Sequence, residues 1–127
     1  MEPLYRAFLT FLAAVTIQSC DEGGSDPVEL TPVQAFMLDS NSLDRGEALF
    51  AGTCAGYCHG LTPDAADAPF LFDCEWQNGD GDDDIFAIIS DGIIDTGMVG
   101  FGNNFPEGDD DKWKIIAYLR ANQQPCE

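Results

Sequence analysis

The chain has 127 residues, of which 45% are hydrophobic, and it sets 23 Asp and Glu against 5 Lys and Arg for a formal net charge of −18. That is room for one small domain once a leader is removed, with little apolar surface to bury unless a cofactor supplies the centre of the core. So acidic a chain is repelled by nucleic acid and by anionic membrane surfaces, and its natural macromolecular counterpart is a basic protein face.

Leu4 to Ile17 is nearly all apolar, too short to span a bilayer comfortably, with Arg6 as its only positive flank. Residues 1–19 therefore read as an export leader. The leader ends in Thr16-Ile17-Gln18-Ser19-Cys20, which resembles a bacterial lipobox. The resemblance implies cleavage before Cys20, a lipid on its thiol and, with Asp21 next, retention at the inner membrane. The alternative is a plain secretory leader with Cys20 unlinked. Either way the domain is exported to the periplasmic side, where disulfides survive. Residues 20–39 read as a flexible tether, because Gly23, Gly24, Ser25, Pro27 and Pro32 oppose regular structure. Val33, Phe36, Met37 and Leu38 lay a short apolar patch against the domain, residues 40–127. There is no internal repeat.

The first helix is expected from near Ser42 to Thr53, with Ser42 as N-cap and Asp44 and Glu47 near the positive end. Leu43, Gly46, Leu49 and Phe50 recur at helical spacing and mark the buried side. A glycine is costly inside a helix, so Gly46 points to close approach by another helix. Next comes Cys54-Ala-Gly-Tyr-Cys58-His59. Two cysteines followed at once by a histidine is the pattern of covalent haem attachment: thiols add across porphyrin vinyl groups and the adjacent imidazole ligates the iron. Three residues separate the cysteines where two are usual. Residues four apart on a helix still share a face, provided Gly56 lets the backbone bulge. Two rival readings are a Cys54–Cys58 disulfide beside a surface histidine, and a zinc site. Zinc asks for four Cys or His ligands, and His59 is the only histidine in the chain.

After His59 the chain enters a loop of little periodicity. A carbonyl at Pro69 can accept the other imidazole N–H and fix the ring, or the proline merely turns the loop. Trp76 either closes one haem edge, its indole N–H toward a propionate, or packs as core. Lipid on Cys20 and haem on Cys54 and Cys58 leave Cys74 and Cys126 as a pair, read as a disulfide rather than two free thiols. Asn78 to Asp84 suggests calcium but fails the EF-hand pattern, with Asp83 where glycine belongs and no bidentate Glu. Its aspartates are accounted for as a helix start, and calcium stays a minor alternative. A second helix follows over about Asp82 to Ser90, with Ile85, Ile88 and Ile89 inward and Gly92 ending it. Met98, between glycines in a compact loop, is the second axial ligand to His59 rather than core filler, with Met37 as rival. The last helix, about Asp109 to Asn122, is apolar on so much of its circumference that it must touch both haem and the first helix.

In this order, Gly46 and Phe50, Cys58-His59-Gly60, Pro69, Gly97-Met98 with Gly100-Phe101-Gly102, and Ile115-Ile116-Ala117-Tyr118-Leu119-Arg120 resemble a class I c-type cytochrome. The resemblance spans about Ser42 to Gln123. It implies an all-α fold in which the N- and C-terminal helices cross around one covalently bound haem c. Gly46 and Phe50 would pack against the Tyr118 region. Val99 stands where that family often has proline. A narrower likeness, through Phe72-Asp-Cys-Glu-Trp76, Asp84-Ile-Phe-Ala-Ile-Ile and Lys114-Ile-Ile-Ala-Tyr-Leu, is to cytochromes accepting electrons from quinoprotein methanol dehydrogenases. Together these imply a periplasmic one-electron carrier, not an enzyme, working between a dehydrogenase donor and an oxidase or cytochrome acceptor with basic faces. The competing functions are a haem sensor or peroxidase-like enzyme with an open axial site, and a haem-free lipoprotein closed by two disulfides.

Overall fold

The computed structural model of the protein describes residues 27–126, which form helices joined by loops, with no strand beyond one isolated bridge between Gly92 and Val99. The leader, Cys20 and the first part of the tether lie outside the described residues. Residues 32–37, assigned above to the tether, belong to the domain as helix α1 (Pro32–Met37). Thr31 and Gln34 form a reciprocal capping box, the Thr31 Oγ1 accepting from Gln34 N at 3.2 Å and the Gln34 Oε1 accepting from Thr31 N at 3.0 Å. Pro32 occupies the first helical turn, where a missing N–H costs nothing, so it starts this helix instead of preventing it. Val33 is buried against α4 and joins the core.

Helix α2 (Ser40–Leu49) begins earlier than expected, because Asp39 rather than Ser42 is its N-cap. The Asp39 carboxylate accepts from the Ser42 N–H at 3.0 Å and from the Ser42 hydroxyl at 2.5 Å. An anionic acceptor outcompetes a hydroxyl for the orphan N–H groups, and Ser42 is drawn inside the helix. From Phe50 to Ala55 the backbone continues as a π-helical turn. Helix α3 (Asp82–Asp91) starts on a triple aspartate and stops at Gly92, whose φ is 75°. Helix α4 (Asp109–Asn122) has the bounds read from the sequence.

Helices α2 and α4 cross at Gly46, where a Cβ would run into the Lys114 carbonyl and the Tyr118 side chain. Only glycine allows two backbones so near. One turn on, the fully buried Phe50 ring meets Phe72 edge-on at 5.3 Å and Tyr118 at 5.8 Å. Ile115, Ile116, Ala117 and Leu119 are buried on several sides of α4, since α1, α2 and α3 all pack on it. This is the all-α crossed-helix arrangement the resemblance implied.

The charges on this frame are internal. Asp111, with no exposed surface, accepts from Arg45 Nε at 2.5 Å, Arg45 Nη2 at 2.9 Å and the Glu107 N–H at 2.9 Å. Lys114 reaches Glu107 at 2.5 Å, and Lys112 reaches Asp109, Ser90 and the Gly102 carbonyl. Arg120 pairs with Asp82 at 2.7 Å. Every Lys and Arg among the described residues is thus held by an acid of this same chain, and its surface has little positive charge left to offer.

Candidate functional site

The π-helical turn delivers Cys54 and runs into the segment carrying Cys58 and His59. The Cys54 carbonyl accepts from both the Cys58 N–H at 3.1 Å and the His59 N–H at 2.9 Å. Both thiols are free, so the disulfide read as an alternative for this pair is not formed. Cys54 is partly buried against the core and Cys58 is exposed. Burial first, and the neighbouring Cys58 thiol second, push Cys54 up to about 11, so its sulfur keeps its proton at neutral pH. Gly56 is right-handed helical, with φ −64°. Its use is space: a Cβ there would stand 3.2 Å from the Ala51 carbonyl oxygen.

His59 Nδ1 lies 2.8 Å from the Pro69 carbonyl oxygen. That oxygen can only accept, so Nδ1 carries a proton, and in the neutral ring the lone pair on Nε2 is then left for a metal.

His59, Cys58, Tyr57, Pro69 and Trp76 line one cleft of about 770 Å³ together with Ile85, Ile88, Ile93 and Met98. Cys54 is not among the lining residues, and Met37, the rival methionine, is on α1 outside the cleft. Met98 is presented by a loop laced back onto the end of α3. The Ile93 N–H donates to the Met98 carbonyl, the Phe101 N–H to the Ile89 carbonyl and the Gly102 N–H to the Ser90 carbonyl, each at 2.9 Å. The Met98 N–H donates to Thr96 Oγ1 at 3.1 Å. A Cβ on Gly92 would come within 2.6 Å of the Met98 oxygen, so only glycine lets the loop fold down here. These bonds restrain the loop although Val99 stands in place of a proline.

The facing wall, residues 72–80, is sewn to the chain's end. Cys74 and Cys126 are disulfide-bonded with their Cα atoms 5.4 Å apart. The Gln124 N–H donates to the Phe72 carbonyl at 2.7 Å and Gln123 Nε2 to the Asp73 carbonyl at 3.0 Å. Trp76 lines the cleft, and its indole N–H donates to the Asp73 carbonyl at 3.1 Å. Arg120 covers the other face of this wall, 5.4 Å over the Trp76 ring and bonded to the Asp80 carbonyl. Nothing local in the sequence marks Arg120 for this task, 44 positions away from Trp76. The acidic loop holds no metal cluster: among the described residues no three His, Cys, Asp or Glu side chains converge on an ion site, and Asp82 and Asp84 are engaged by Arg120 and the Gly81 N–H.

The cleft's size and residues fit a haem. It is within the usual range of ligand clefts, its walls are largely apolar, and it carries a thiol, an oriented imidazole and a thioether. Consistent with that chemistry, the family model described as Cytochrome C oxidase, cbb3-type, subunit III matches residues 41–119, from the start of α2 to near the end of α4. No curated protein and no solved structure matches the chain.

Proposed function

The chain belongs to the family of c-type cytochrome domains that this match describes, and on that premise we propose an exported one-electron carrier with His59 and Met98 as its two axial ligands. It is a monohaem class I c-type cytochrome with covalently attached haem c, an electron-transfer protein rather than an enzyme. When bound, the haem supplies one iron that cycles between Fe(II) and Fe(III). The chain's residues hold and orient it. Cys54 and Cys58 are the attachment thiols, Pro69 fixes the His59 ring, and the loop of Gly92 to Gly102 presents Met98. Trp76 and the isoleucines of α3 exclude water. His59 and Met98 would hold the iron between them, leaving it no position for a substrate, and a methionine ligand would raise the potential.

The single observation that supports this reading is that an oriented His59 and a laced-down Met98 line one cleft. Carbon monoxide tests it. The reduced protein should take up the gas slowly, and Met98→Ala should take it up readily. Rapid uptake by the unaltered protein would assign the open-site sensor or peroxidase class instead. A pyridine haemochrome spectrum without haem would leave the haem-free lipoprotein reading.

The partners we infer are redox proteins with basic faces, a dehydrogenase upstream and an oxidase or second cytochrome downstream. Support comes from the net charge of −18 and from the internal pairing of the described cations. Acidic steering acts mainly on the association rate. The likeness to acceptors of quinoprotein methanol dehydrogenase makes that enzyme the first donor to try. No helix among the described residues is long and apolar enough to cross a membrane. Attachment to the inner membrane is proposed through lipid on Cys20, and loss of fatty-acid labelling in Cys20→Ser checks it.

A further inference from the structure

The cysteine spacing and the helix geometry depart from the ordinary in the same place. In an α-helix each N–H reaches the carbonyl four residues back, and in a π-helix the one five back. Had two residues separated the cysteines, the histidine would stand four after the first cysteine, and its N–H would meet that cysteine's carbonyl in a plain α-turn. With three between them it stands five after, and an α-turn would give that carbonyl to Cys58 alone. Yet the His59 N–H does reach the Cys54 carbonyl, at 2.9 Å, shorter than the 3.1 Å from Cys58. The widening begins upstream, at Phe50, and runs to Ala55. The residues carried outward are Gly56 and Tyr57, the latter 86% exposed. A Cβ on Gly56 would crowd the Ala51 carbonyl oxygen at 3.2 Å, so glycine is the residue that fits this turn without displacing it.

We propose that the widened turn from Cys54 to His59, which continues the π-helical turn Phe50–Ala55, absorbs the additional residue of Cys54-x-x-x-Cys58-His59, keeping His59 one hydrogen-bonded turn from Cys54 so that both thiols attach to the haem. The inference rests on the haem reading above. Each attachment is an addition: the S–H and vinyl π bonds break, sulfur bonds to the vinyl carbon next to the ring, and the hydrogen passes to the terminal carbon. No oxidant or reductant is consumed.

The test uses the exported protein produced with a haem-attachment apparatus, in three forms: unaltered, with Gly56 deleted, and with one alanine inserted after Gly56. Intact mass counts haem, alkylation counts free thiols at positions 54 and 58, and the pyridine haemochrome band reports unsaturated vinyl groups. The unaltered protein should show one haem and neither thiol alkylated. The deletion should show the same, its turn relaxing to an α-helix. The insertion, beyond what one widened turn absorbs, should leave one thiol free. An unaltered protein linked through Cys58 alone would overturn the inference and leave the haem reading standing. So would a deletion that loses a link, or an insertion that keeps both. Absence of haem from all three would bring down the haem reading itself.

Discussion

The crossing of α2 and α4 and the cleft beside it are built by different means. At the crossing, backbones touch through Gly46, rings interlock around Phe50, and the polar groups that are buried, such as Asp111, are fully bonded. The cleft is walled mostly by loops. One wall is pinned by a disulfide and the tail, the other by backbone hydrogen bonds onto the end of α3. Burial scales with area and tolerates no gap, whereas a loop wall needs only enough fixed points to hold a few donor atoms. The frame therefore carries stability and the walls carry ligation, and damage to one should be separable from damage to the other.

The sharpest way to break that division is Phe50→Ala. Phe50 has no exposed surface, and its loss should cost about 3–5 kcal/mol, enough to endanger a domain of this size. Thermal melts followed by far-ultraviolet circular dichroism should show it. Little change would mean that the crossing is not where stability resides. Next in size is the wall disulfide. Its 52-residue separation predicts a contribution of up to about 4 kcal/mol in the chain-entropy model. Paired Cys74→Ser and Cys126→Ser should lower the melting point and loosen the Trp76 wall, seen as Trp fluorescence more accessible to quencher. A wall unchanged by this would leave its fastening to Gln123, Gln124 and Arg120.

How far the residues announced these parts follows the same division. The last helix was readable because its triple-aspartate start and apolar sides are local signals. Gly46 was readable because a glycine in a helix needs a reason. Cys54, Cys58, His59 and Pro69 were singled out by order and spacing. Helix α1 was not legible: six residues do not make a stable helix alone, and it exists because Val33 is buried against α4. Nor was Asp39 over Ser42, two good caps three residues apart whose contest is settled by which side chain meets the N–H groups. The π-helical turn has no compositional mark beyond one surplus residue. Arg120 over Trp76 depends on a contact 44 positions apart, which no window along the chain can contain.

A smaller loss is expected from Asp111→Ala. Burial raises its carboxyl, but the Arg45 hydrogen bonds and the Glu107 N–H outweigh burial and hold it below the ordinary carboxylate range. A carboxyl with a depressed folded value stabilises the fold above its unfolded value near 4, and that contribution fades as pH falls through the folded value. The substitution should cost about 1–3 kcal/mol at neutral pH, tempered because Arg45 can turn to Glu107 or to water. The difference between parent and variant should shrink on acidification below about pH 4. A difference that grew instead would mean that the pair is not formed.

Met98→Ala should affect the frame least. The side chain is only half-buried, and its loop is held by main-chain bonds of Ile93, Phe101 and Gly102 that the substitution leaves in place. In haem-free protein the melt should move by no more than about 1 kcal/mol equivalent, the range for changes that open no core cavity. In haem-loaded protein the reduction potential should fall and carbon monoxide uptake should rise, because the thioether ligand is gone. A Met98→Ala protein that lost its helices along with its ligand would show that the loop's ligand and the crossed helices are one cooperative unit, and the division between frame and walls would then be wrong. An unaltered potential, with the helices intact, would leave the division standing and remove Met98 from the iron.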